Sequence, residues 1–160
     1  MSQLLDGMDA EKLLEHMPTS VRTSLETLER TGTDWNAVGN LLAATPTAGV
    51  AFTGTGQWTG DLWEAVKWEF RSFLCTESDA YAELRADWET LKHRSVTRAV
   101  GALATLMGTR VGVTSGVIAP MVTWLLVVSR RMGAQDVCLT LPQRVAASSS
   151  HDLAAPTWQD

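Results

Sequence analysis

Side chains that could perform acid–base or metal chemistry are thinly spread along this chain. The histidines His16, His93 and His151 stand alone, with no cysteine or carboxylate at a spacing typical of a metal site. Asp87, His93 and Ser95 are close in sequence, but a separation of six residues places Asp87 and His93 on different sides of a helix. The sequence therefore predicts no metal centre, no cofactor and no enzyme.

Residues 46–60 are the only segment whose composition suggests a phosphate loop. Gly54 and Gly56 form a G-x-G, but Thr59 replaces the third glycine of a dinucleotide fingerprint and no Gly-Lys-Ser/Thr follows. We interpret these residues as a Gly/Thr-rich linker.

The most specific pattern is a run of small residues, in which Gly108, Gly112 and Gly116 are spaced four apart. Residues four apart share one helix face, so the pattern predicts a glycine zipper for close helix–helix contact and oligomerisation. The glycines lie in an apolar block, residues 99–129, whose last nineteen residues carry no charge. About 20 apolar residues span a bilayer core, so we predict a membrane segment over residues 96–131.

Charge is distributed unevenly around this block. Residues 1–91 hold fifteen acids and six bases, whereas residues 92–131 hold six bases and no acid. The acidic half argues against duplex DNA as a partner, because phosphate binding needs a clustered basic face. The bases suit an anionic membrane surface. The predicted partners are therefore membrane lipid, a second copy of the chain, and a protein bound through the acidic head.

The prediction of a membrane segment assigns roles to five charged or aromatic residues. Arg110 must reach the interface or face a polar lumen, because an ion in hydrocarbon costs roughly 3 kcal/mol or more, and a ring of such arginines favours anions. Arg130 and Arg131 end the membrane segment. Trp124 lies too far inside to mark the interface and is predicted to face another helix. Trp68 lies off the apolar face of its helix and is predicted to bind a partner.

Several arrangements of the apolar block are compatible with the sequence. It could form one span over residues 111–129, or a hairpin whose tip lies near residues 110–115 and whose flanking arginines stay on the cytoplasmic side. These arrangements place the chain at a bacterial inner membrane with a cytosolic N-terminal part. Alternatively, residues 99–129 are the buried core of a cytoplasmic helical adaptor, since their hydrophobicity is moderate. No signal peptide is recognised, and Cys75 and Cys138 are predicted to be reduced.

The remaining sequence predicts an all-α fold. Residues 1–45 read as short helices, and residues 61–95 as an amphipathic hairpin that could continue into the apolar block without a break. Residues 132–160 are predicted to be a disordered tail, in which residues 137–141 could form a strand or a packed coil.

A helical head joined to one or two apolar helices resembles the small membrane effectors of bacterial antiviral and conflict systems. The resemblance rests on the helical patterns of residues 63–75 and 81–91 and on the glycine block that starts at Gly108. It implies an oligomeric protein that perturbs the inner membrane and is regulated through its cytosolic head.

Overall fold

Every regular element in the described part of the chain is helical, which confirms the all-α prediction. The computed structural model describes residues 2–44 and 62–141, so the predicted linker at 46–60 and the tail beyond residue 141 lie outside it. The helices are α1 (Ala10–Glu15), α2 (Thr19–Arg30), α3 (Trp35–Ala44), α4 (Leu62–Leu74), α5 (Ala82–Arg94), α6 (Val96–Val111), α7 (Ser115–Met132) and α8 (Ala134–Thr140), with 3-10 turns at Ser2–Leu5 and Asp79–Tyr81.

Local sequence signals set the ends of the first helices. The Asp9 carboxylate accepts a hydrogen bond from the backbone N–H of Glu11 at 2.9 Å, which caps α1. Pro18 immediately precedes α2, where its missing N–H is not needed. At α3 the Asp34 carboxylate accepts a hydrogen bond from Asn36 N at 3.0 Å.

The apolar face of α4 is buried as predicted, whereas on α5 Trp88 is buried and Leu84 and Leu91 are half-buried. The two helices do not pack along their length as a simple hairpin. They meet at one corner, where the Phe73 ring lies 5.9 Å from Tyr81 and 4.9 Å from Trp88 between centroids. Beyond this corner α4 packs on α6 and α7, and α5 packs on α6. The positions of α4 and α5 therefore depend on their packing against α6 and α7.

The expected continuous helix from α5 into the apolar block is wrong, because the chain breaks at Ser95. This residue has an extended backbone, with φ −170° and ψ 124°, and its hydroxyl accepts from Arg98 N at 3.3 Å. Serine makes such a cap because its side chain replaces a backbone partner that the first turn lacks. The break ends α5 at Arg94 and lets a new helix, α6, start at Val96 in contact with α5.

Helix α7 is the centre of the fold. It packs against α1, α3, α4, α6 and α8, and the nine residues from Met121 to Ser129 are all buried. Among the described residues no single helix is long and apolar enough to cross a membrane, whereas α6 and α7 pass that test only as a pair bent by 118°.

The chain after α7 differs from both alternatives predicted for it. Residues 134–140 form helix α8, and Ala134, Val137 and Leu141 are buried at spacings of three and four. Five residues are too few to separate strand from helix by pattern alone.

The prediction of reduced cysteines is also wrong in this structure. Cys75, at the end of α4, is bonded to Cys138 of α8, with 5.7 Å between their Cα atoms and 63 residues between them in sequence. Their distance in sequence concealed the pairing, because α8 returns to the end of α4. Disulfides persist mainly in oxidising compartments, so this bond sets a condition for the full stability of the fold.

Replacing both cysteines with serine is expected to lower the free energy of unfolding by up to about 4 kcal/mol, the loop entropy of a 63-residue closure. Denaturant unfolding with and without reductant measures the effect. Reductant should shift the midpoint of the parent chain and leave that of the Cys75→Ser, Cys138→Ser variant in place. An unchanged parent midpoint would contradict a stabilising disulfide.

Candidate functional site

The corner between α6 and α7 holds three of the eight residues predicted to be functional, and two glycines shape it. Gly112 ends α6 with φ +94°, a left-handed conformation that L side chains adopt with strain. The Gly108 carbonyl accepts hydrogen bonds from Gly112 N at 2.7 Å and from Val113 N at 3.0 Å. A Cβ atom on Gly108 would lie 2.6 Å from the Val113 carbonyl oxygen, so the returning chain requires glycine there.

The glycine zipper therefore does not form one strip on one helix, which corrects that prediction. Gly108 is buried in α6, Gly112 lies in the exposed turn, and Gly116 is exposed in the first turn of α7. A left-handed glycine just after the helix is typical of a C-terminal cap, and here its N–H donates to the carbonyl four residues earlier, that of Gly108. The spacing of four between Gly108 and Gly112 comes from this cap, because its hydrogen bond joins residues four apart. Residues on one helix face have the same spacing.

Substituting Gly112 with alanine is expected to destabilise the fold by about 1–2 kcal/mol, because the left-handed backbone strains an L residue. The matched control is Gly101→Ala in α6. There a Cβ meets no atom within 4 Å, and the change should stabilise by about 1 kcal/mol through helix propensity. Chemical denaturation measures both variants. Equal effects of the two substitutions would contradict the cap.

Beside this corner a buried carboxylate joins two donors. Glu69 of α4 is buried, and its Oε1 accepts from the Tyr81 hydroxyl at 2.7 Å and from Arg110 Nε at 2.6 Å. The Arg110 guanidinium also lies 5.7 Å from the centre of the Tyr81 ring. Arg110 thus has a protein partner at the end of α6, and the trio ties α4, the Asp79–Tyr81 turn and α6 together.

The environment of Tyr81 keeps its hydroxyl protonated. Burial raises the pKa of this hydroxyl far above its ordinary value of 10.0, and the hydrogen bond and charge of Glu69 raise it further. Tyr81 therefore acts as a hydrogen-bond donor to Glu69. The role of the trio is to fix these helices in place.

The stability of the chain is expected to fall as the pH rises above about 10, because the unfolded chain then releases the Tyr81 proton and the folded chain keeps it. The Tyr81→Phe variant has no such proton to release, so its free energy of unfolding should fall less steeply with pH, by up to about 1.4 kcal/mol per pH unit. Urea unfolding at several pH values gives both curves. Tyr81 is the only tyrosine, so ultraviolet absorbance of tyrosinate reports on it directly. Ionisation near pH 10 without unfolding would contradict the buried donor.

Trp124 faces another helix, in a cluster of three tryptophans. Its indole N–H donates to the Trp35 carbonyl at 3.0 Å, and Trp35 meets Trp63 edge to face at 6.4 Å. Trp63 Nε1 donates to Asn36 Oδ1 at 2.8 Å. A Cβ atom on Gly39 would lie 2.0 Å from the Trp63 ring, so the ring packs directly against this glycine. The cluster packs α3 onto α4 and α7, so its tryptophans have structural partners.

The other predicted site residues are separated on the surface. Arg131 pairs with Glu29 and with Glu11, the latter at 3.2 Å, and ties the end of α7 to α1 and α2. Arg130 is exposed at the same end, and Trp68 is half-buried on α4. The structure therefore brings Gly108, Gly112 and Arg110 to one corner and leaves the remaining residues apart.

Two groups of functional interest were not predicted from the sequence. One is Glu69 with Tyr81, whose partnership depends on a tertiary contact. The other is Trp88 with Lys92, both buried on α5 and both bonded to the N-terminal residues. The one signal in the sequence was a lysine, Lys92, four residues after Trp88 and therefore on the same helix face. Within residues 2–44 and 62–141, no three His, Cys, Asp or Glu side chains could hold a metal ion together.

Comparison with known proteins assigns no family. No protein-family model, curated protein or solved structure matches the chain.

Proposed function

We propose that this chain is a helical protein-binding module whose core is the apolar block. The observation that carries the proposal is the burial of all nine residues from Met121 to Ser129. A helix that is apolar on every side needs an apolar environment on every side, from protein or from lipid. Helices α1, α3, α4, α6 and α8 supply that environment.

The acidic surface is the part of the module suited to a partner. Glu83 and Asp87 lie one turn apart on α5 and are exposed, whereas Trp88 of the same helix is buried. Glu11 and Glu15 are exposed on α1. A surface of this charge attracts a basic protein surface and speeds its association.

A second candidate is the membrane-perturbing oligomer, which one observation favours. Helices α6 and α7 together have the length and composition of a span, although they are bent by 118°. Insertion would require α7 to leave its helical partners and Arg110 to leave Glu69. This candidate therefore needs a second conformation, whereas the binding module uses the conformation described above.

The two candidates differ in what a charge in α7 does. Leu126→Asp places a carboxylate at a fully buried position, and loss of the side chain plus burial of the charge should cost more than about 4 kcal/mol. If the block is the shared core, near-ultraviolet circular dichroism of Trp63 and Trp88 should collapse together with helicity. The matched control is Leu139→Asp in α8, where the native side chain is 76% exposed. A retained tryptophan signal in Leu126→Asp would favour the membrane candidate.

Fractionation of the full chain provides the second test. A binding module is expected in the high-speed supernatant without detergent, as a monodisperse species in size-exclusion chromatography. Recovery only with detergent, together with permeabilisation of anionic liposomes, would overturn the proposal in favour of the membrane oligomer.

A further inference from the structure

The N-terminal segment, residues 2–8, is bound to the rest of the chain like a ligand. It begins with the Ser2–Leu5 turn, which packs on α5, α7 and α8. Leu5 and Met8, three residues apart, are each only 2% exposed. Their side chains belong to the same apolar core as residues of α5, α7 and α8, and they occupy a recess formed by elements that follow more than 70 residues later, since α5 starts at Ala82.

The polar contacts in this recess are made to the main chain of the segment. Trp88 Nε1 donates to the Leu4 carbonyl at 2.6 Å. Lys92 Nζ donates to the carbonyls of Gln3 at 3.2 Å and Asp6 at 2.8 Å. Two of these bonds hold the carbonyls of Leu4 and Asp6, and the third adds to the Gln3 carbonyl, which also accepts from Asp6 N at 3.2 Å within the turn. None of the three bonds depends on a side chain of the segment.

Both donors belong to buried side chains, so the recess is a formed site that requires an occupant. Trp88 is fully buried, and the Lys92 side chain is 5% exposed. Lys92 keeps one other partner, Glu89, at 2.8 Å. Buried donors without acceptors are unfavourable, and an ammonium group has three hydrogens to donate. An empty recess would also expose the surfaces that Leu5 and Met8 cover.

The connection of the segment to α1 is suited to release. Asp6 and Gly7 are exposed, and Gly7 has φ +80° with no atom within 4 Å of the position of a Cβ. Glycine changes its backbone conformation at little cost, so this link can move without disturbing packed side chains.

We propose that the recess is a peptide-binding site and that residues 2–8 are its intramolecular, autoinhibitory occupant. The partner is a peptide with one helical turn, two large apolar side chains three residues apart, and free main-chain carbonyls at the end of the turn. The inference rests on the proposed binding function and adds to the acidic surface an apolar site with its own class of partner. The tethered segment competes with such a peptide through its high effective concentration.

The test uses the full chain with its own segment weakened, Leu5→Ala with Met8→Ala, and a fluorescein-labelled peptide of residues 2–9. Fluorescence anisotropy should show binding to the weakened chain about tenfold or more tighter than to the parent. Adding Lys92→Met or Trp88→Phe should weaken that binding about tenfold, because each removes donors to the peptide carbonyls. A matched peptide with aspartate in place of its leucine and methionine anchors should not bind.

A measurement on the parent chain keeps the test decisive if the weakened variant does not fold. Excess peptide should speed amide hydrogen exchange in residues 2–8 of the chain itself while exchange in α7 stays unchanged. No binding to a folded weakened chain, or no release of the segment in the parent, would overturn the proposal. So would a dimer that requires Leu5 and Met8, since a second copy would then occupy the recess.

Failure of this inference is distinguishable from failure of the proposed function. A monodisperse chain in which Leu126→Asp unfolds everything, but which binds no peptide, keeps the binding module and removes the recess as its site. A chain that requires detergent removes the module itself.

Discussion

The burial of the second half of α7 is the constraint on which the other contacts depend. From Met121 to Ser129 every side chain is enclosed, including the indole of Trp124. The faces of α1 and α3 are too narrow to form a core of their own, and each packs directly on α7. The apolar block therefore organises the chain, because covering it removes the largest continuous apolar surface from water.

Buried polar groups then select one arrangement of helices around that core. Glu69 accepts from Tyr81 and Arg110, and Asn36 accepts from Trp63 and from Lys67, the last at 2.7 Å. Each carboxylate or amide oxygen would be left unsatisfied if its helices slid by one turn. A buried polar group without its partner is unfavourable by about 1–3 kcal/mol, so these contacts penalise alternative packings.

The corner at Gly112 shows how local and tertiary terms combine. Glycine adopts left-handed and right-handed conformations almost equally well, so the bend itself contributes little resistance to straightening. The packing of α7 and the pair formed by Glu69 and Arg110 provide most of the resistance. A membrane-inserted form would therefore be limited by loss of the core, and the recess that holds residues 2–8 lies against the same helix.

The all-α class, the apolar face of α4 and the importance of residues 99–129 were predictable from the sequence. Each of these follows from periodicity and composition, which are local properties of the chain. The glycine spacing did not distinguish a helix cap from a zipper at Gly108 and Gly112, because both have a spacing of four. The break at Ser95, the pairing of Cys75 with Cys138 and the attachment of the N-terminal segment to Trp88 and Lys92 became visible only in the folded chain. These partners are far apart in sequence: 63 residues separate Cys75 from Cys138, and 84 separate Leu4 from Trp88. Such partners are chosen by the packing of the whole core, and no local pattern encodes them.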